Sequence, residues 1–197
     1  TYLILSHFDK DHIGSAAVLL SEYEVGCVLM PDYEEDSQEY IMLMQALHRS
    51  GTNERRLVED YSFTLGDVVF YVDAPGEDVY EDDNNYSLIT TVTCKETRFL
   101  LTGDALKKRM GEFMDSDAGE EQYDLIKMPH HGDYNKKLPE LFAIARPDYL
   151  VLTAGKERKR VEDKTIELMD QSGCGIFFTD EGEVTVLSDG STVTVMQ

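Results

Sequence analysis

Hydrophobic positions along the chain recur with two periods, and segments of the two kinds alternate. Short apolar or β-branched runs predict strands over 2–5, 26–30, 56–63, 67–73, 88–94, 98–101, 123–128, 148–153, 175–178, 183–187 and 192–196. Helical spacing predicts helices over 13–24, 38–49, 105–115, 138–145 and 162–172. This alternation is typical of an α/β protein.

Cap residues and apolar faces sharpen the first two predicted helices. The helix over 13–24 is expected to present Val18, Leu19 and Tyr23 as an apolar face. Ser37 is a good N-cap for the next helix, and Gly51 is expected to end it.

The densest group of candidate metal ligands lies where the first predicted strand meets the first predicted helix. At strand spacing, His7 and Asp9 point to one side, whereas Asp11 and His12 lie in the turn. Imidazole and carboxylate groups are ligands that Zn²⁺, Mn²⁺ and Fe²⁺ accept. The alternative is a solvated polar loop with a helix cap.

Two later strand ends carry the same chemistry. Asp104 follows an apolar strand and opens a helix, so it is either a ligand or a helix N-cap. His130 and His131 are adjacent, follow a strand and precede Gly132; the alternative for them is a pair of surface imidazoles.

These segments resemble the signatures of the metallo-β-lactamase fold. The first signature normally reads His-x-His-x-Asp-His, and here Asp9 stands where the second His is usual. That variant, followed by Ile-Gly, is similar to the metallo-β-lactamase-type domain of bacterial competence DNA-uptake channel proteins and their free-standing relatives. Thr102-Gly103-Asp104 and the segment from Lys127 to Gly132 resemble the later signatures, with Asp133 in place of a usual Ser.

The resemblance implies an α/β fold of the αββα sandwich type, in a single domain over 1–197. Family members normally carry a β-rich segment before the first signature. The expected domain therefore lacks part of its N-terminal β-layer, as in a truncated chain.

The resemblance also implies a site for two divalent metal ions, Zn²⁺ or Mn²⁺. The implied ligands are His7, Asp9, Asp11, His12, Asp104 and His130. His7 and Asp9 would hold the first ion, Asp104 would bridge the two, and the remaining three would hold the second. Asp11 is also expected to take part in catalysis, and His131 to bind substrate or move a proton. A nearby His or Tyr134 is expected to stabilise the developing oxyanion.

Two positions depart from the family pattern. The third signature, often a His, reads Asn84-Asn85 here with Asp83 before it, so the first metal position is expected to be weak. Around 159–163 a late His is missing, and Asp163 is the substitute that the sequence offers.

The implied activity is that of a metal-dependent hydrolase that uses a metal-bound hydroxide on a phosphodiester or similar ester, as a phosphodiesterase or nuclease does. The alternative is a catalytically impaired metal-binding or regulatory protein that retains the fold.

Composition limits the partners. The net charge of −21 makes strong nucleic-acid binding doubtful, because such binders need a basic face; a small-molecule or phosphodiester substrate is expected. The basic clusters are 55–56, 107–109 and 156–160.

Cys27, Cys94 and Cys174 are widely spaced and are read as reduced thiols. No apolar run approaches about 20 residues, so a cytoplasmic segment is expected, membrane-attached if a larger channel protein precedes it. The oligomeric state stays open.

Overall fold

The computed structural model describes residues 1–153 and 161–197, in which strands and helices alternate. The strands are β1 Tyr2–Ile4, β2 Cys27–Pro31, β3 Asn53–Leu57, β4 Tyr61–Leu65, β5 Val68–Asp73, β6 Ile89–Cys94, β7 Thr97–Leu101, β8 Leu125–Lys127, β9 Tyr149–Leu152, β10 Gly175–Phe178, β11 Thr185–Ser188 and β12 Val193–Met196. The helices are α1 Lys10–Ile13, α2 Ala16–Glu22, α3 Gln38–Ser50, α4 Lys107–Met114, α5 Leu138–Ala145 and α6 Asp163–Ser172. Short 3₁₀ segments lie at Asp83–Tyr86, Asp117–Glu120 and Pro129–Gly132.

The strands form two main sheets and a hairpin. The smaller sheet has the parallel order β1-β2-β3. The larger has the order β10-β9-β8-β7-β6-β5-β4, in which β7 to β10 are parallel and β4 to β7 antiparallel. Strands β11 and β12 form a separate antiparallel pair.

Three hydrophobic clusters stack these elements in four layers. Helices α1, α2 and α3 pack against one face of the smaller sheet through Val28 and Met30. The intervening Leu29 points the other way and packs with Val72 of β5, so the two sheets face each other. Helices α4, α5 and α6 cover the outer face of the larger sheet. The predicted αββα sandwich is therefore confirmed.

The first predicted helix is wrong in its extent and in its face. It is split into α1 and α2 around Gly14, and the buried positions are Ile13, Ala16 and Leu20. The side chains expected to form the apolar face are exposed: Val18 by 52%, Leu19 by 39% and Tyr23 by 64%. Apolar residues occupy two sides of this segment, so periodicity alone does not show which side is buried.

The strand predicted over 56–63 is also wrong, because two strands of different sheets occupy it. The chain crosses from β3 to β4 at 58–60. The Asp60 carboxylate accepts hydrogen bonds from the Tyr71 hydroxyl at 2.7 Å and the Ala74 N–H at 2.9 Å. The predicted Ser37 cap is confirmed, since its hydroxyl accepts a hydrogen bond from the Tyr40 N–H at 3.2 Å.

Within the described ranges, no helix combines the length and the apolar character that crossing a bilayer requires.

Candidate metal centre

Strand ends from both sheets meet at one edge of the sandwich. The segment after β1 reaches the larger sheet because the Leu88 N–H donates to the Ser6 carbonyl at 2.8 Å. Strands β7 and β8 are parallel neighbours, so the segments that follow them leave at the same edge. The structure thus brings residues 7–12, Asp104 and His131 together, although they are far apart in sequence.

Asp104 lies at the middle of this group and is buried. Its Oδ2 is 3.3 Å from Nε2 of His12 and 3.2 Å from Nε2 of His131. Nε2 of His131 is also 2.9 Å from Oδ2 of Asp11. These side chains form two overlapping sets that could each hold an ion, His7 with His12 and Asp104, and Asp11 with His12 and His131; within each set the donor atoms lie within 4.8 Å of one another.

The nitrogens that face this cluster suit a divalent cation. Among the described residues, Nε2 of His7, His12 and His131 is buried and has no hydrogen bond of acceptable geometry. Buried polar atoms without partners are rare and costly in folded proteins. Imidazole nitrogens and carboxylate oxygens converging on one point are the donor set of Zn²⁺, Mn²⁺ and Fe²⁺ sites.

Local electrostatics keeps the central carboxylate charged. Burial raises the pKa of Asp104, but the close imidazoles of His12 and His131 and the charge of Lys127 outweigh this effect and hold the pKa well below its usual range. Lys127 Nζ is 3.3 Å from Oδ1 of Asp104 and donates to the Gly103 carbonyl at 2.9 Å. Burial lowers the pKa of this lysine.

The histidines are affected in opposite directions. Burial, followed by the charge of His12, lowers the pKa of His7 to about 4. The carboxylate of Asp104, 3.2 Å from Nε2 of His131, raises the pKa of His131 to about 9, against the opposing effect of burial. The Nδ1 atom of His131 lies 2.7 Å from the Thr153 carbonyl oxygen, a contact that fixes the ring orientation.

The predicted first position is only partly assembled from the expected residues. Oδ2 of Asp9 lies 3.6 Å from Nε2 of His7, on the edge of the cluster. Burial, followed by the charge of Asp11, raises the pKa of Asp9. In the Asn pair, Asn85 accepts a hydrogen bond from the Arg109 N–H at 3.2 Å, whereas Oδ1 of Asn84 is buried without a partner among the described residues.

The structure places His131, rather than His130, against the acidic residues of the cluster. His131 faces Asp11 and Asp104, whereas Nδ1 of His130 lies 3.2 Å from Oδ2 of Asp133. Both residues adopt left-handed backbone conformations, with φ of 44° and 52°, so the chain turns sharply between their side chains. The structure therefore brings His131, and not the expected His130, to the cluster.

Tyr134 lies away from the cluster in its described contacts. Its N–H donates to Oε1 of Glu162 at 3.3 Å, and Nζ of Lys164 lies 5.5 Å from its ring centroid. Asp163 is exposed in the first turn of α6. The basic run 156–160 lies outside the described residues.

Sequence reasoning missed the burial of Arg109, which it counted in the basic cluster 107–109. Arg109 is fully buried; it forms an ion pair with Asp73 and donates to the Ser87 carbonyl at 2.9 Å. Helical spacing offered a signal, because Arg109 shares the buried face of α4 with Met110 and Phe113. Ser87 in turn accepts a hydrogen bond from the Asp104 N–H at 3.1 Å, so this network supports the cluster.

Two curated proteins are similar in sequence to this chain. ComE operon protein 3 of Bacillus subtilis is 25% identical over 181 residues, which cover 91% of this chain and 23% of that protein. Recombination protein 2 of Haemophilus influenzae is 26% identical over 157 residues, which cover 78% of this chain and 18% of that protein. The chain thus spans less than a quarter of the length of these curated relatives.

Solved structures share the fold at low sequence identity. Igni18, a metallo hydrolase from Ignicoccus hospitalis, matches all of this chain and 79% of its own, with a TM-score of 0.57 and 12% identity. CmlA, a diiron β-hydroxylase from Streptomyces venezuelae, matches 89% of this chain and 43% of its own, with a TM-score of 0.55 and 12% identity. A sequence model of the metallo-beta-lactamase superfamily matches residues 1–156. The chain therefore belongs to the metallo-beta-lactamase superfamily, as the signatures predicted.

Proposed function

We propose that this chain is a metal-dependent hydrolase that acts on a phosphodiester or a similar ester. The observation that carries the proposal is the convergence of three buried imidazole nitrogens, which make no hydrogen bond among the described residues, on the carboxylates of Asp11 and Asp104. Such a donor set binds divalent ions, and the superfamily is one of metallo-hydrolase fold.

We assign the proposed ligands to two ions from their mutual distances. His7 and Asp9 would lie on the side of the first ion, and Asp11 and His131 on the side of the second. Asp104 would lie between the two ions, because its Oδ2 is close to Nε2 of both His12 and His131. His12 belongs to both sets of convergent atoms and would bind one ion through its single Nε2 lone pair. Divalent ions supply Lewis acidity toward an ester oxygen and activate water for attack.

The protein's own groups prepare the site for this chemistry. Asp104 stays ionised because its pKa is held low, and Lys127 balances the charge of the oxygen that faces away from the histidines. His130 is partly exposed and is paired with Asp133. We assign to His130 the contact with substrate and the supply of a proton to a poor leaving group.

Asp9 bears on the choice of metal. A carboxylate in place of an imidazole adds an anionic oxygen to the first position, which favours Mn²⁺ over Zn²⁺. Asn84 is a weak ligand where the family often has a His. That observation favours the second candidate function, a metal-binding protein with impaired catalysis.

Hydrolysis of bis-p-nitrophenyl phosphate tests the proposal. We expect turnover with added Mn²⁺, and less with Zn²⁺. His131→Asn should lower kcat/KM roughly a hundredfold or more, because loss of an outer partner of a ligand already costs about 10–100-fold. His130→Asn is the matched control and should keep most of the activity, since p-nitrophenolate leaves without a proton. Asn suits both sites because it tolerates positive φ.

The outcomes separate the candidates. A wild-type protein that binds Mn²⁺ but hydrolyses nothing with Mn²⁺, Zn²⁺ or Mg²⁺ would support the impaired alternative. Equal losses in the two His variants would contradict the assignment of His131.

A further inference from the structure

One hydroxyl group lies between two of the candidate ligands. Oγ of Ser6 is 3.1 Å from Nδ1 of His7 and 3.2 Å from Nδ1 of His12. The centroids of the two imidazole rings are 4.1 Å apart, and the Nδ1 atoms of both rings lie within hydrogen-bond distance of this oxygen.

The chemistry of imidazole decides what this contact does. A neutral imidazole carries its proton on one nitrogen only, and the other nitrogen offers the lone pair that binds a metal. The Nε2 atoms of His7 and His12 face Asp9 and Asp104, so metal binding requires the proton on Nδ1 in both rings. A serine oxygen has two lone pairs and can accept both N–H groups at once.

The fold keeps space for this oxygen. Gly103 has φ of +55°, and a Cβ there would lie 2.9 Å from Cβ of Ser6 and 3.0 Å from Cβ of Ser87. A side chain at this position would therefore push both serines away. Gly103 thus allows the Ser6 hydroxyl to contact both imidazole rings, while the Ser87 hydroxyl accepts a hydrogen bond from the Asp104 N–H.

We propose that Ser6 is a positioning residue: its hydroxyl accepts from Nδ1 of both His7 and His12, and so directs the Nε2 lone pairs of both rings toward the metal centre. This inference rests on the proposed function only through the ligand roles of the two histidines. It assigns to Ser6 a role in metal affinity, separate from any contact with substrate.

Metal affinity gives the first test. Competition between the purified protein and a chelating dye, with Mn²⁺ or Zn²⁺ alone, measures the dissociation constant. Ser6→Ala should weaken binding by about 10–100-fold, as is typical for loss of a partner behind a metal-binding His. Ser6→Thr keeps the hydroxyl and should restore most of the affinity. Ser62→Ala removes an exposed hydroxyl from β4 and should change nothing.

The tautomers give a second test that needs neither metal nor activity. Nitrogen-15 NMR of the metal-free protein, with labelled histidine, should show the proton on Nδ1 in His7 and His12. In Ser6→Ala this preference should weaken in both rings, while His131 keeps its proton toward the Thr153 carbonyl. A wild-type protein with the proton on Nε2 of His7 and His12 would overturn the proposal, even where Ser6→Ala fails to fold.

The two proposals fail separately. Weaker metal binding in Ser6→Ala, with no hydrolysis by the wild type, removes the hydrolase and supports the role of Ser6. Hydrolysis by the wild type with unchanged metal affinity in Ser6→Ala supports the hydrolase and removes the role of Ser6. A wild-type protein that binds neither ion overturns both.

Discussion

Asp104 collects contacts from three distant parts of the chain, His12, Lys127 and His131. Its burial disfavours the charged form, and its partners more than offset this effect. A carboxylate in this setting stays ionised at neutral pH. The same contacts make the metal-free site sensitive to pH through its histidines.

The metal-free protein should lose stability as pH rises from 6.5 to 9. In the folded state the pKa of His131 is raised from 6.5 to about 9, so its stabilising contribution is complete below pH 6.5 and is lost as pH rises through 9. Urea unfolding after metal removal, at several pH values, measures this slope.

The control uses the neighbouring imidazole. His131→Asn should flatten the slope between pH 6.5 and 9, and His130→Asn should leave it unchanged. His7 acts in a separate range, because its pKa is lowered to about 4 and its contribution is lost as pH falls from 6.5. Equal slopes in wild type and His131→Asn would contradict the assigned ion pair with Asp104.

Residue types at the site were predictable, but their orientation was not. The signatures indicated the strand ends that carry His7, His12 and Asp104. The choice between His130 and His131 depends on two consecutive left-handed residues, for which neither strand nor helix periodicity gives a direction. Ser6 is a small polar residue beside a dense motif, and only its distances to two rings reveal its contacts.

At the scale of elements, Gly14 separates α1 from α2 and so positions α1, which carries Asp11 and His12. Its φ of −57° is ordinary, and its requirement is for space. A Cβ at Gly14 would lie 2.5 Å from the carbonyl oxygen of Lys10, within the backbone of α1. A larger residue must therefore displace α1.

Gly14→Ala should destabilise the fold by about 1–3 kcal/mol, the usual cost of overpacking, and should weaken metal binding because α1 shifts. Gly111→Ala is the matched control. It lies inside α4, where the new Cβ would meet Cε of Lys137 at 3.6 Å, an ordinary contact. Alanine should therefore stabilise that helix by about 0.5–1 kcal/mol.

Chemical denaturation and dye competition measure the two effects for both variants. A Gly14→Ala protein with wild-type stability and wild-type metal affinity would show that α1 accommodates the added methyl group.

Sequence patterns identified most elements and missed the partners of some. The residue types of β3 and β4 favour strands, but they do not indicate which sheet a strand joins. The crossing between the sheets at 58–60 was therefore not predictable. Residues 107–109 indicated only a basic cluster. The burial of Arg109 could not be predicted, because its ion pair with Asp73 depends on a distant strand. Tertiary contacts decide both cases.

At the scale of the whole molecule, the four-layer sandwich was predictable from ordered signatures, since each signature marks a strand end. Surface charge adds a constraint that the fold does not supply. Several basic side chains of the described ranges are neutralised: Lys108 pairs with Glu77, Arg98 with Glu121, and Arg109 with Asp73. The formal net charge of the chain, with these paired residues included, is −21.

We therefore expect a short DNA duplex to bind more weakly than about 10⁻⁴ M at physiological salt, beyond the usual range of non-specific binders. Fluorescence anisotropy with a labelled duplex measures this. Micromolar binding that falls steeply with salt would contradict the expectation. Lys156→Glu combined with Arg160→Glu would then show whether the basic run carries it.

The joining of strand ends from two sheets has a consequence for the unfolded chain. An ion held by His12, Asp104 and His131 acts as a cross-link between distant residues, and it closes a loop of roughly 90 residues between the first two. Unfolding with the ion still bound would leave a tethered chain of reduced entropy, whereas unfolding with its release forfeits the binding energy. A metal ion bound at this site would therefore also be a reversible cross-link between the two sheets.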